Sequence, residues 1–138
     1  MSAYLDSCVV IYLIERREPW FEEIRDRLLP VSEPLPLIWY SDLTRMECRV
    51  GPKLRGDAVA LSEYDNFFET ARFRRIVMDH PVFDLATDLR VRHRIAVPDA
   101  LHLAAAMCAG CEEFWTNDLT LEKAAEGRLQ VVTLVGRP

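Results

Sequence analysis

Short apolar runs of strand length alternate along this chain with longer segments of helical periodicity, and that alternation restricts the fold more than any other feature. Tyr4-Leu5 is an apolar opening that breaks at Asp6-Ser7, as a short buried strand does at a turn. Residues 9–17 read as a helix, and Pro19 opens a second one in which Trp20, Phe21, Ile24 and Leu28 recur at helical spacing. A proline-punctuated loop over residues 30–36 leads to a strand over 37–40. Ser41 then suits the N-cap of a helix that should stop near Gly51-Pro52. Leu61, Tyr64, Phe67, Phe68 and Ala71 mark an amphipathic helix over residues 57–71, and residues 73–78 are β-prone. Pro81 opens a helix running to about Arg92, and Pro98 starts an alanine-rich one over residues 99–109. Residues 113–116 form a strand ending at Asn117-Asp118, and a short helix and a strand over 129–134 close the chain.

Strands alternating with helices predict a mostly parallel sheet of about five strands with helices on both faces, a three-layer α/β/α sandwich. In such sheets the chemistry sits outside the carboxyl ends of the strands, near the point where strand order reverses. The 138 residues are expected to form one domain spanning 1–138. The apolar run over residues 8–14 is far shorter than the roughly 20 residues needed to span a bilayer. It lacks the flanks of a signal peptide, so the expected location is the cytoplasm, with no membrane partner. A net charge of −5 argues against a protein that simply coats nucleic acid. It leaves room for carboxylates gathered around a divalent cation, which reverses the local sign. The Cys108-Ala109-Gly110-Cys111 pattern has no second ligand pair and reads as two small residues packed at a helix end.

Four acids stand at element junctions. Asp6 ends the first strand, Asp118 follows a late strand, Asp99 occupies the first turn of the alanine-rich helix, and Glu47 lies on the helix capped by Ser41. Asp99 and Asp118 each have a plain alternative as helix caps, and Glu47 alone reads as a solvated helix residue. Asp6 has few structural reasons to end a buried strand. Four carboxylates in one cleft repel one another unless a cation compensates, and all-oxygen ligation suits Mg²⁺ or Mn²⁺. Ser7 and Asn117, beside two of the acids, are candidates for orienting carboxylates or water.

These residues resemble the PIN-domain family, in particular the VapC toxins of toxin–antitoxin pairs. The matching stretches are Leu5-Asp6-Ser7-Cys8-Val9-Val10, Ser41-Asp42-Leu43-Thr44-Arg45-Met46-Glu47, Pro98-Asp99-Ala100-Leu101-His102-Leu103-Ala104-Ala105-Ala106 and Thr116-Asn117-Asp118, in the family's order. The resemblance implies a PIN-like fold and an Mg²⁺-dependent endoribonuclease with Asp6, Glu47, Asp99 and Asp118 as its metal-binding, catalytic set. It also implies a cognate antitoxin, with assembly as a homodimer, or as a heterotetramer or larger with the antitoxin. His102 matches a position common in the family outside its acidic ligands and reads mainly as structural, with a contact that supports the metal ligands or RNA as the alternative. Alternative readings are a catalytically silent PIN module binding RNA or a protein, or a haloacid-dehalogenase-like phosphatase. The latter wants a second Asp at position 8, which is Cys8.

For RNA, Arg45 and Arg49, one turn apart and flanking Glu47, are the candidate phosphate contacts. The clusters Arg72, Arg74, Arg75 and Arg90, Arg92, His93, Arg94 read mainly as solvated faces. The first helix is apolar nearly all round, more than one sheet contact uses. Together with the Trp20 face it reads either as surface buried in the core or a homodimer or, as the resemblance implies, as a groove for an antitoxin helix, with Trp20 and Tyr12 as candidate contacts.

Overall fold

The computed structural model describes residues 1–138 except 33, 71 and 135–138. Among the described residues twelve elements follow in the order β1 (Ser2–Leu5), α1 (Ser7–Ile14), α2 (Trp20–Leu28), β2 (Leu37–Ser41), α3 (Asp42–Arg55) and α4 (Ala58–Glu69). They continue as β3 (Phe73–Ile76), α5 (His80–His93), α6 (Val97–Cys108), β4 (Glu113–Thr116), α7 (Leu121–Ala124) and β5 (Gln130–Thr133). The five strands form one sheet in the order β3-β2-β1-β4-β5, and every pairing is parallel.

Period-two alternation divides each strand between two cores. Tyr4 and Phe114 point to one face and pack with Leu89, Leu103 and Leu121 from α5, α6 and α7. Leu5, Ile38 and Trp115 point to the other and pack with Val10, Ile24 and Tyr64 from α1, α2 and α4. Both faces are therefore covered, which is why the strands read as short apolar runs. Strand order reverses at β1: the chain moves outward to β2 and β3, then crosses back to β4 and β5. The crevice expected for such a sheet lies between the carboxyl ends of β1 and β4. Among the described residues no helix is long and apolar enough to cross a membrane.

The expected elements are present, with shifted ends. The first helix starts at Ser7 rather than residue 9 because the Asp6 carboxylate caps it, and it ends at Ile14, with Arg16 turning into the left-handed region at φ 52°. The larger correction concerns α3, which does not stop at Gly51-Pro52 but runs to Arg55 and ends at Gly56 with φ 65°. Gly51 presents no Cβ to the proline ring, which relaxes the usual conflict before proline. Pro52 itself is buried, so packing outweighs the one helix hydrogen bond it cannot donate. The helix expected over 57–71 spans Ala58–Glu69, with Asp57 accepting from the Ala60 N–H at 3.0 Å. Ala71 lies outside the described residues, as does residue 33 of the expected loop.

Candidate metal centre

Asp6 is the first residue after β1, and its backbone N–H donates to the Trp115 carbonyl at 3.0 Å, joining it to β4. One carboxylate oxygen accepts from the Ser7 N–H at 2.8 Å and the other from the Thr116 hydroxyl at 2.8 Å. The side chain is only 13% exposed, so it is held from two sides at the strand-order reversal. Glu47 is placed by the start of α3. The Ser41 hydroxyl accepts from the Thr44 N–H at 3.4 Å, and the Thr44 hydroxyl accepts from the Ser41 N–H at 3.2 Å, a reciprocal cap that fixes the helix onset.

His102 ties these parts together. Its Nε2 lies 2.5 Å from Glu47 Oε1 and 3.6 Å from Asp6 Oδ1, while its Nδ1 lies 2.7 Å from the Tyr4 hydroxyl. Tyr4 is fully buried in the central strand, and its hydroxyl also meets Ser41 Oγ at 2.7 Å and Thr44 Oγ1 at 3.2 Å. An ionised carboxylate only accepts, so the hydrogen-bond network assigns a proton to Nε2. In the neutral ring Nδ1 then accepts from the Tyr4 O–H. Burial pushes the Tyr4 phenol far above its ordinary value, so it stays protonated. His102 is thus a positioning residue for Glu47, which is the alternative to its reading as merely structural.

Asp99 lies in the first turn of α6. Burial, then the charges of Asp6 and Asp118, push its carboxyl above the ordinary carboxylate value; His102 opposes this and Glu47 adds to it. The charges of Asp6, Asp118 and Glu47 therefore all lie within electrostatic reach of Asp99. Asp118 Oδ1 accepts from the Thr120 N–H at 2.8 Å and hydroxyl at 2.7 Å, so it does cap the following turn. Its backbone N–H donates to Thr116 Oγ1 at 3.1 Å, which links the Asp118 loop to the Asp6 clamp.

The remaining candidates are placed differently. Ser7 reaches Asp6 through its backbone N–H. Asn117 is exposed and donates instead to the Tyr12 hydroxyl at 2.7 Å, where Tyr12 stacks on Trp20 with ring centroids 4.4 Å apart. Arg45 and Arg49 share Asp65, at 3.5 Å and 2.8 Å, on a shallow hollow of about 300 Å³ with Asp42 and Lys53. Thr116 and Tyr4 contact Asp6 and His102 directly and were not singled out from the sequence. The signal for His102 was its place as the one polar side chain in the otherwise apolar run over residues 100–107, since a buried imidazole needs partners. Cys108 is exposed and Cys111 buried, both as free thiols.

The donor set fits a hard divalent cation. One ligand atom each of Asp6, Glu47 and His102 lies within 4.8 Å of the other two. With Nε2 protonated toward Glu47, the carboxylate oxygens would be the donors and the imidazole would orient them. A cation there would relieve the repulsion that Asp6, Asp118 and Glu47 exert on the Asp99 carboxylate.

A carboxylate whose folded pKa is raised holds its proton more tightly in the folded protein than in the unfolded chain. Its contribution favours folding below the ordinary carboxylate value and is lost as pH rises through the raised folded value. In the metal-free protein, Asp99 should therefore make the melting temperature fall from acidic to neutral pH. Asp99→Asn should flatten that dependence and raise the neutral-pH melting temperature. Mg²⁺ should stabilise wild type at neutral pH by mass action, and Asp99→Asn should lose most of that gain. Calorimetry with and without metal checks all three; an unchanged response to Mg²⁺ in the variant would remove Asp99 from the donor set.

Comparison with known proteins agrees with this geometry. A search of curated protein sequences gives no match. A VapBC2 complex from Rickettsia felis, bound to a promoter DNA fragment, is similar at TM-score 0.75 and 16% identity, over 97% of this chain and 99% of that one. A toxin–antitoxin complex from Klebsiella pneumoniae is similar at TM-score 0.68 and 26% identity, covering 95% and 96%. FitAcB from Neisseria gonorrhoeae is similar at TM-score 0.69 and 20% identity, also covering 95% and 96%. The PIN domain profile matches residues 3–127, which span the sheet from β1 to α7 and all four acids. On that match the chain belongs to the PIN domain family.

Proposed function

We propose that this chain is a divalent-metal-dependent endoribonuclease and the toxin half of a toxin–antitoxin pair. What supports the reading is the cluster of Asp6, Glu47 and His102 at the strand-order reversal of a PIN-family chain, with Asp99 electrostatically coupled to Asp6, Asp118 and Glu47. Asp6 and Asp99 are the leading ligands, with Glu47 and Asp118 completing the set for Mg²⁺ or Mn²⁺. When bound, the cation supplies Lewis acidity, activating water and stabilising charge on the phosphoryl oxygens. The protein's own part is to hold the oxygens still. Ser7 and Thr116 clamp Asp6, the Tyr4–His102 pair aims Glu47, and Thr120 fixes one oxygen of Asp118.

The antitoxin partner is supported by the likeness to the Klebsiella pneumoniae toxin–antitoxin complex. An open groove of about 520 Å³ runs between α1, α2 and α4, with Ile14, Phe21, Phe67 and Phe73 along it. It suits the apolar face of a helix. Trp20, half-buried on Tyr12, is the aromatic contact proposed beside it, although Phe21 rather than Trp20 lines the groove. Homodimers, and heterotetramers or larger with the antitoxin, are the assemblies this reading includes.

The test is cleavage of single-stranded RNA by purified protein. Cleavage is expected with Mg²⁺ or Mn²⁺, to stop in chelator, and to stop again on adding the cognate antitoxin. RNA that is bound but never cut in either metal would point instead to a silent PIN module.

A further inference from the structure

A second feature abuts the acidic cleft and is of opposite charge. The bend between α5 and α6, together with α7, encloses a pocket of about 460 Å³ whose wall includes Arg92, His93, Arg94, Thr120 and Lys123, with Asp99 at its edge. Thr120 is the residue that holds Asp118, so the pocket borders the candidate metal centre on the side of Asp99 and Asp118. Its basic end is two kinds of cation. Arg92 and His93 are spent on Glu126, at 2.8–3.0 Å and 2.9 Å. Arg94 and Lys123 are exposed and make no ion pair or side-chain hydrogen bond among the described residues.

The backbone sets this arrangement. Arg94 occupies the end of α5 at φ 54°, a left-handed position where glycine is the usual residue. An arginine there carries strain that a glycine would avoid, and it projects a cation from the bend. Arg90 braces the same bend by donating to the Ile95 carbonyl at 3.1 Å. The first turn of α6 has no side-chain cap, so the positive end of a twelve-residue helix opens toward the same space.

We infer that this pocket holds a backbone phosphate of single-stranded RNA, with Arg94 and Lys123 as its ligands, one step along the strand from the phosphodiester at the acidic cleft. The inference rests on the ribonuclease reading for its choice of ligand. An acidic cleft repels RNA when metal is absent; free cations beside it hold the strand in register. The basic cluster at residues 90–94, which reads in the sequence as a solvated face, thus acquires a target once the α5–α6 bend places it next to Asp99.

The test compares wild type, Arg94→Gln/Lys123→Gln and a charge-matched control, Arg25→Gln/Arg74→Gln, whose arginines lie on α2 and β3 away from the pocket. A short fluorescein-labelled single-stranded RNA is titrated in chelator across a salt series, and cleavage is then measured with Mg²⁺. The pocket variant is expected to bind at least about tenfold more weakly and to lose about 0.7 from its salt slope, the share of the one phosphate the two cations hold. The cleavage defect should fall on KM more than on kcat, and Arg94→Lys/Lys123→Arg should restore binding. A pocket variant no weaker than the control, or with an unchanged salt slope, overturns the inference. Wild type that cleaves while the pocket variant keeps its KM leaves the ribonuclease reading standing and removes the pocket. Wild type that binds RNA through the pocket yet never cleaves it does the reverse.

Discussion

Asp6→Asn is expected to lower RNA cleavage by more than about 100-fold while leaving the metal-free protein at least as stable as wild type. Mutating residues that only orient a ligand typically costs 10–100-fold, and Asp6 is proposed as a ligand itself. The fold should survive because asparagine keeps most of what the carboxylate does locally. Its carbonyl oxygen can still accept the Ser7 N–H that caps α1, and its amide can donate to the Thr116 oxygen in place of accepting from it. The lost charge is one of those that push the Asp99 carboxyl up, so its removal relieves repulsion in the empty cleft. Activity and metal-free stability should thus move in opposite directions, which a merely misfolded variant does not do. The measurement pairs cleavage rates with melting temperatures on identically purified proteins. Cleavage by Asp6→Asn within a few-fold of wild type would show the leading ligand to be dispensable.

The architecture was legible because it rests on local pattern. Tyr4-Leu5 against Asp6-Ser7, the Ser41 cap and the Pro98-Asp99 helix start each carry their own signal, and their alternation already implies a parallel sheet. Three of the acids follow from that alone, since Asp6, Asp99 and Asp118 sit at element ends. What escaped depends on partners distant in sequence. His102 meets Tyr4 across 98 residues and Glu47 across 55, and no local spacing encodes either contact. Thr116 reads as an ordinary strand residue until the β1–β4 pairing brings it beside Asp6. The misplaced end of α3 has the same origin: Gly51-Pro52 is a local stop, and burial of Cys48 and Pro52 overrides it.

Tyr4→Phe should be the most informative change outside the acids, because one oxygen atom joins the core to the site. The phenol lies in the middle of the central strand, fully buried, its ring stacked on Phe114 with centroids 5.5 Å apart. Phenylalanine keeps that packing, so the loss is confined to the hydroxyl and its three partners, Ser41, Thr44 and His102. Ser41 and Thr44 can still turn to each other, being 3.4 Å apart. His102 Nδ1 has no such recourse, and a buried polar atom left unsatisfied costs about 1–3 kcal/mol. The ring is then free to rotate, and Glu47 loses the Nε2–H that aims it. Cleavage should fall about 10–100-fold, the range for groups that orient metal ligands rather than bind metal. His102→Ala removes the orphaned atom along with the orienting one, so it should show a comparable loss of activity. The double variant should lose little more than either single change, because both act through the same link to Glu47. Additive losses in the double variant would mean that Tyr4 and His102 act on the cleft independently, and the proposed relay from β1 to Glu47 would fail.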